Sequence, residues 1–202
     1  MAQFMTGEHA EREAVSVTTP FPLAMGVFGL TTVIIGSIFA GFIVPGVGAG
    51  MSILAAVAFF GGLLQVLAGM VELRHDNMLS GTIFTSYGGF LMAFGVIVAP
   101  SLGILSSLGA AMHAALGLFF LAWTVFTAIL FLSSLRTGIA HVLTMALLFL
   151  TYLLLTIGEL AGASTVLLIV GGWLGIVTGL VAWYTAFAGL LGANKSVFHL
   201  PT

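Results

Sequence analysis

Long apolar runs, almost free of charge, dictate what this chain can fold into. They fall at about 21–44, 50–72, 79–99, 108–134, 138–161 and 164–192, with short breaks between them such as VPGVGAG, ELRHDN and SLRTG. A bilayer core of about 30 Å is crossed by roughly 20 helical residues at about 1.5 Å each, and each run has that length. Charged residues make up 5% of the chain and hydrophobic ones 60%, whereas soluble domains carry roughly 25% charge. The expected fold is an all-α integral membrane protein of six transmembrane helices, paired as three helical hairpins. Polar cytoplasmic tails are expected at 1–20 and 193–202, around a transmembrane domain at 21–192. The first run continues past the length of a signal-peptide core, so it is read as a retained helix rather than a cleaved leader.

An even number of spans places both termini on one side. Arg12, Arg74, Arg136 and Lys195, the four basic residues, all fall in the tails or loops of that side. Cytoplasmic loops carry the Lys/Arg excess, so both termini are expected in the cytoplasm of a cell with this protein as a multi-pass component of its membrane.

The chain has no cysteine, which removes disulfides and thiolate metal sites. It contains no phosphate-binding loop G-x-x-x-x-G-K-[ST], no H-E-x-x-H, no G-x-S-x-G and no His/Asp/Glu cluster with ligand spacing,. An enzyme, an ATP-driven pump and a metal or other cofactor are therefore not expected, nor is a nucleic-acid partner.

Polar side chains inside lipid cost free energy and so point to function. The densest group lies in FGGLLQVLAGMVELRHDNMLSGTIFTSYGGF, residues 60–90. Gln65 and Glu72 are two helical turns apart on one face, and Thr82 and Ser86 are one turn apart. These groups fit either a conduction path or hydrogen-bonded contacts between helices. Glu72 lies near Arg74 and Asp76, which suggests a loop-anchoring ion pair. Glu159 has no basic neighbour in sequence. Both are candidates for a proton-linked or mouth carboxylate. His9, His75, His113, His141 and His199 lie in tails, loops or span ends, where solvation at the interface accounts for them. At the start of the first span, Thr18-Thr19-Pro20-Phe21-Pro22 reads as a helix start whose positive dipole end would attract an anion.

The same stretch carries a family resemblance. Gly61-Gly62, Gln65, Ala68-Gly69, Glu72, Asn77 and Ser86-Tyr87-Gly88 follow the spacing of the acetate uptake transporter family, which includes succinate-acetate permease and the fungal acetate and ammonia export proteins. Asp76, Met78 and Leu79 depart from that family's Gly-Asn-Thr-Phe. Thr19-Pro20-Phe21-Pro22-Leu23-Ala24 resembles its Asn-Pro-Ala-Pro-Leu-Gly, with both prolines and Leu23 kept, and Phe28-Gly29-Leu30-Thr31-Thr32 continues the match. GGWLGIVTGLVAWYTAFAGLL and the ending FHLP are also similar.

The resemblance implies a homohexamer in which each protomer passes acetate and related short carboxylates through its own path, with succinate as a further candidate. It also implies a constriction at Phe28, Tyr87 and Leu148. These three lie about eight to ten residues into the first, third and fifth spans, hence at one depth near mid-bilayer. Thr31, Gln65, Thr82 and Ser86 are the expected substrate-binding donors along the path. Two alternatives stay open: a channel for a neutral solute such as urea or a short amide, and a non-conducting membrane sensor or scaffold.

Overall fold

The structure, a computed structural model, describes residues 19–41 and 47–193. The expected tails, with Arg12, Lys195, His9 and His199, lie outside these residues apart from Thr19, Pro20 and Ala193. Six long helices account for the apolar runs: α1 (Phe21–Phe39), α2 (Val47–Arg74), α3 (Met78–Val98), α4 (Met112–Ser134), α5 (Ile139–Leu160) and α6 (Thr165–Ala193). All six are long and apolar enough to cross a membrane, so the chain is a multi-pass membrane protein. Between α3 and α4 the chain forms three short turns, Pro100–Leu102, Ile104–Ser107 and Gly109–Ala111.

Local chemistry sets where the helices begin. Pro20 stands at the entry to α1, where its fixed φ suits the first turn, and the Phe21 backbone N–H donates to Thr19 Oγ1 at 3.2 Å. Asn77 caps α3 by accepting a hydrogen bond from the Ser80 backbone N–H at 3.4 Å. Asp76, just before it, has φ 58°, in the left-handed region that favours glycine. The resemblance noted in the sequence implies glycine at this position, so that departure falls where backbone geometry favours Gly.

The helices close into a ring in chain order. α1 packs between α2 and α6, α5 packs between α6 and α4, α2 and α3 lie close along their lengths, and α3 meets α4 only lightly. The tightest sequential pairs are thus α2–α3, α4–α5 and α5–α6, with α1 against α6. Of the tandem hairpins expected from sequence, only α5–α6 is among them. Lipid tails are as apolar as leucine, so helix association depends on close backbone approach rather than hydrophobic burial. A Cβ added to Gly62 of α2 would lie 2.5 Å from the Gly88 carbonyl oxygen of α3, and one on Gly36 of α1 would lie 2.6 Å from that of Gly172 on α6. Large apolar side chains such as Phe60, Leu132, Ile139 and Val166 remain exposed on the outside of the ring.

Arg74 and Arg136 follow or end helices at the same end of the bundle, where α1, α3 and α5 begin. This is called the arginine end below, and the other the far end.

Candidate functional site

The axis of the ring holds a narrow cavity. α1 contributes Phe28, Thr32, Ile35, Gly36 and Phe39, and α5 contributes Leu148, Thr151, Tyr152 and Leu155. Each set recurs at three- and four-residue spacing, one face of a helix. Tyr87 and Phe90 of α3, Phe120 of α4 and Gly171, Gly172 and Gly175 of α6 complete the wall, so only α2 is missing from it. The cavity volume is about 30 Å³, where a single water needs roughly 10–15 Å³. It has room for a few waters only and lacks any charged lining residue.

Phe28, Tyr87 and Leu148, expected at one depth, all line this cavity and are all buried. The Phe28 and Tyr87 rings lie 6.0 Å apart between centroids. Tyr87 is held from several sides. Its hydroxyl donates to Thr127 Oγ1 at 2.8 Å, and Thr127 in turn donates to the Trp123 carbonyl at 2.6 Å. Its ring stacks on Tyr152 and tilts against Trp123. Phe90 joins the same cluster through Trp123, Phe119 and Tyr152 at 4.8–5.4 Å. Arrangements of this kind add to area burial through ring quadrupoles, so the side chain of Tyr87 is fixed rather than loosely packed.

The four expected donors lie elsewhere. Thr31 donates to the Val27 and Phe28 carbonyls of its own helix, and Ser86 donates to those of Thr82 and Ile83. Thr82 is exposed on the outer surface. Gln65 is fully buried on α2, with neither amide atom hydrogen-bonded. None of the four lines the axial cavity. The lining residues that carry hydroxyls are Thr32, Thr151, Tyr87 and Tyr152; Thr151 donates to the Leu147 carbonyl at 2.8 Å and Tyr87 to Thr127.

Both carboxylates are buried and partnered. Glu72 accepts from the Thr19 hydroxyl at one oxygen and from Asn77 Nδ2 at the other, at 2.5 Å for the amide. The expected ion pair with Arg74 is replaced by these two neutral donors, because the Asn77 cap turns the chain back over Glu72. Glu159, without a basic neighbour in sequence, pairs across the far end with His113 of α4, Nδ1 to Oε2 at 2.8 Å. It is the one contact between a basic and an acidic side chain given for the described residues, and it bridges 46 positions.

At the arginine end the ring opens into a vestibule of about 390 Å³ whose walls include Phe21, Ser80, His141 and Thr185. Phe21, Ser80 and His141 each lie seven residues before Phe28, Tyr87 and Leu148. That is about two turns, roughly 10 Å along the same helix faces, so the vestibule and the narrow cavity are lined by the same faces of α1, α3 and α5. The sequence reading placed His141 only as a solvated span-end histidine and Phe21 only in the helix start, and did not single out Ser80, although the spacing was available once the ring residues were chosen.

Six apolar helices closed around a narrow axial cavity, with a wider pocket at the arginine end of the ring, define a multi-pass membrane transport protein. The chain belongs to the GPR1/FUN34/yaaH family, whose model matches residues 2–202. It is 34% identical over 189 residues to the succinate-acetate/proton symporter SatP of Escherichia coli (strain K12), covering 92% of this chain and 95% of that protein. It is 34% identical over 215 residues to acetate permease A of Emericella nidulans, covering 98% of this chain and 70% of the permease. Accumulation of dyads protein 2 of Saccharomyces cerevisiae is 37% identical over 183 residues, and this chain spans only 62% of its length. Among solved structures, the bacterial acetate channel SatP superposes with a TM-score of 0.81 at 28% identity, covering 91% of this chain and 98% of the channel.

Proposed function

We propose that this chain carries acetate and related short carboxylates, succinate among them, along a path through each protomer of a homohexamer. The path runs from a cytoplasmic vestibule at the arginine end through a constriction of Phe28, Tyr87 and Leu148. The observation that carries this reading is that these three side chains line one axial cavity, too narrow at about 30 Å³ for a hydrated ion. An apolar ring of this kind selects by dehydration and size, while hydroxyls and helix dipoles stand in for lost water. Thr32, Thr151 and Tyr152 are the residues of the wall whose hydroxyls could do so.

The test is uptake of labelled acetate into liposomes holding the purified chain, under an imposed voltage and, separately, an imposed pH gradient. Uptake that follows voltage alone identifies an anion channel. Uptake that requires the pH gradient identifies proton coupling or passage of the neutral acid, both of which a carboxylic acid of pKa near 4 to 5 allows. No uptake above empty liposomes in either condition overturns the reading. A neutral small solute is the second reading, favoured by the absence of charge in the cavity. Ammonia transport outward protein 2 of Saccharomyces cerevisiae, 35% identical over 187 residues and 63% covered by this chain, is named for such a solute. Ammonia or urea flux that acetate leaves unaffected would support it.

A further inference from the structure

We propose that the axis carries a second gate on the far side of the constriction, formed by Phe39, Phe94 and Phe120 and held shut by the His113–Glu159 pair. The proposal rests on the reading that solutes travel the axis, and adds how its far mouth is closed. Phe39 of α1 and Phe120 of α4 line the axial cavity together with Leu155 of α5. Phe120 packs edge-on with Phe39 and tilted against Phe94 of α3, each at 5.9 Å between centroids. Phe94 and Leu155 stand seven residues beyond Tyr87 and Leu148, hence roughly 10 Å nearer the far end on the same helix faces. Phe39 is the last residue of α1. Rings from three helices thus meet in one layer beyond the constriction. Phe94, Phe120 and Leu155 are each at most 2% exposed, as a mouth closed to solvent requires.

The pair continues the same wall. Glu159 is four residues beyond Leu155, and His113 is seven before Phe120, so both extend cavity-lining helix faces toward the far end. Their contact, Nδ1 to Oε2 at 2.8 Å, ties the first turn of α4 to the last turn of α5. The far-end connections, residues 40–46, 99–111 and 161–164, hold no Asp, Glu, Lys, Arg or His. The two charge-bearing groups of that end are therefore engaged with each other. A buried ion pair adds little net stability over an apolar pair of the same shape, and polar groups in lipid are costly, so packing alone does not account for it. His113 is 42% exposed and Glu159 4%, which lets the imidazole leave for water and return. Such a contact suits an element that moves, and α4 is that element. It meets α3 only lightly, so the Phe94–Phe120 contact crosses the weakest seam of the ring. Swinging the first turns of α4 outward carries Phe120 off Phe39 and Phe94 and opens the far mouth.

The chain has no cysteine, so Leu155→Cys places a single thiol on the axis behind the gate. The test reconstitutes the full chain in lipid nanodiscs, which expose both ends, and follows by mass its labelling with 2-sulfonatoethyl methanethiosulfonate, a charged thiol reagent. With the pair intact, labelling is expected to be slow. His113→Ala in the same chain is expected to speed it roughly tenfold, the loss of one charge-assisted hydrogen bond. Glu159→Ala is expected to match it, and decides the point if His113→Ala fails to fold. Phe39→Ala, which removes a gate ring and leaves the pair in place, is expected to speed labelling as well. Ala58→Cys on α2, fully buried and outside the axial wall, reports general loosening and should stay slow in every background. Equal rates at Leu155→Cys with and without the pair overturn the latch, and a rate that Phe39→Ala leaves unmoved overturns the gate. A rise shared by Ala58→Cys overturns both. Acetate flux in liposomes separates the two readings. Faster labelling in a chain that moves no acetate would keep the gate and remove the acetate path, whereas normal flux with unchanged labelling would keep the path and remove the gate.

Discussion

Tyr87 has two separable features: its ring lines the axial cavity, and its hydroxyl fixes that ring by donating to Thr127. Tyr87→Phe keeps the ring and removes one buried hydrogen bond, about 1 kcal/mol, so acetate flux is expected to persist with a small loss of thermal stability. Phe28→Ala and Leu148→Ala remove wall atoms, and liposome flux is expected to extend to longer carboxylates such as butyrate while acetate still passes. Unchanged selectivity in both would take these residues out of the constriction. The His113–Glu159 pair presents a different problem. Glu159 is only 4% exposed, so His113→Ala strands a buried acceptor at a cost of about 1–3 kcal/mol. Glu159→Gln in the same chain should recover part of that loss, and a double-mutant cycle on detergent-solubilised protein measures the coupling.

At the scale of elements, backbone approach decides which helices pair. Gly62 against Gly88 and Gly36 against Gly172 leave no space for a side chain. Gly62→Leu is therefore expected to push α3 from α2 and to lower the yield of folded protein sharply, whereas Gly89→Ala, where a Cβ meets nothing within 4 Å, should be tolerated. Chromatographic yield and melting temperature of the two variants check this. The α2–α3 turn carries the opposite case. Asp76 occupies a left-handed conformation that costs an L-residue roughly 1–2 kcal/mol, so Asp76→Gly is expected to raise stability by about 1 kcal/mol, read as an upward shift of the melting transition. Asn77 next to it caps α3, holds Glu72 and borders the vestibule. This one residue ties the end of α2 to the vestibule.

For the whole molecule, the outer surface is apolar on every long helix, and large side chains such as Trp173, Leu180 and Phe187 on α6 stay exposed. Lipid or a second copy of the chain covers them, and the hexamer proposed above assigns part of this surface to copies. Native mass measurement in mild detergent is expected to give six chains, and a monomer would remove the hexamer without affecting a path that lies inside one protomer.

Span number and approximate span limits were legible from the chain alone, since hydropathy depends on composition along a line,. The depth of Phe28, Tyr87 and Leu148 was legible for the same reason: rise per residue converts position into height. Rotation about each helix was not. It depends on which neighbours approach, which is why Thr31, Thr82 and Ser86 read as lining donors but lie off the cavity, while Thr32 and Thr151 line it. Nor could sequence pair His113 with Glu159, or replace Arg74 with Thr19 and Asn77 as partners of Glu72. The one-dimensional cost of burying polarity in lipid determined how the chain crosses the membrane. Only close packing in three dimensions decided which faces meet and what the axis presents to a solute.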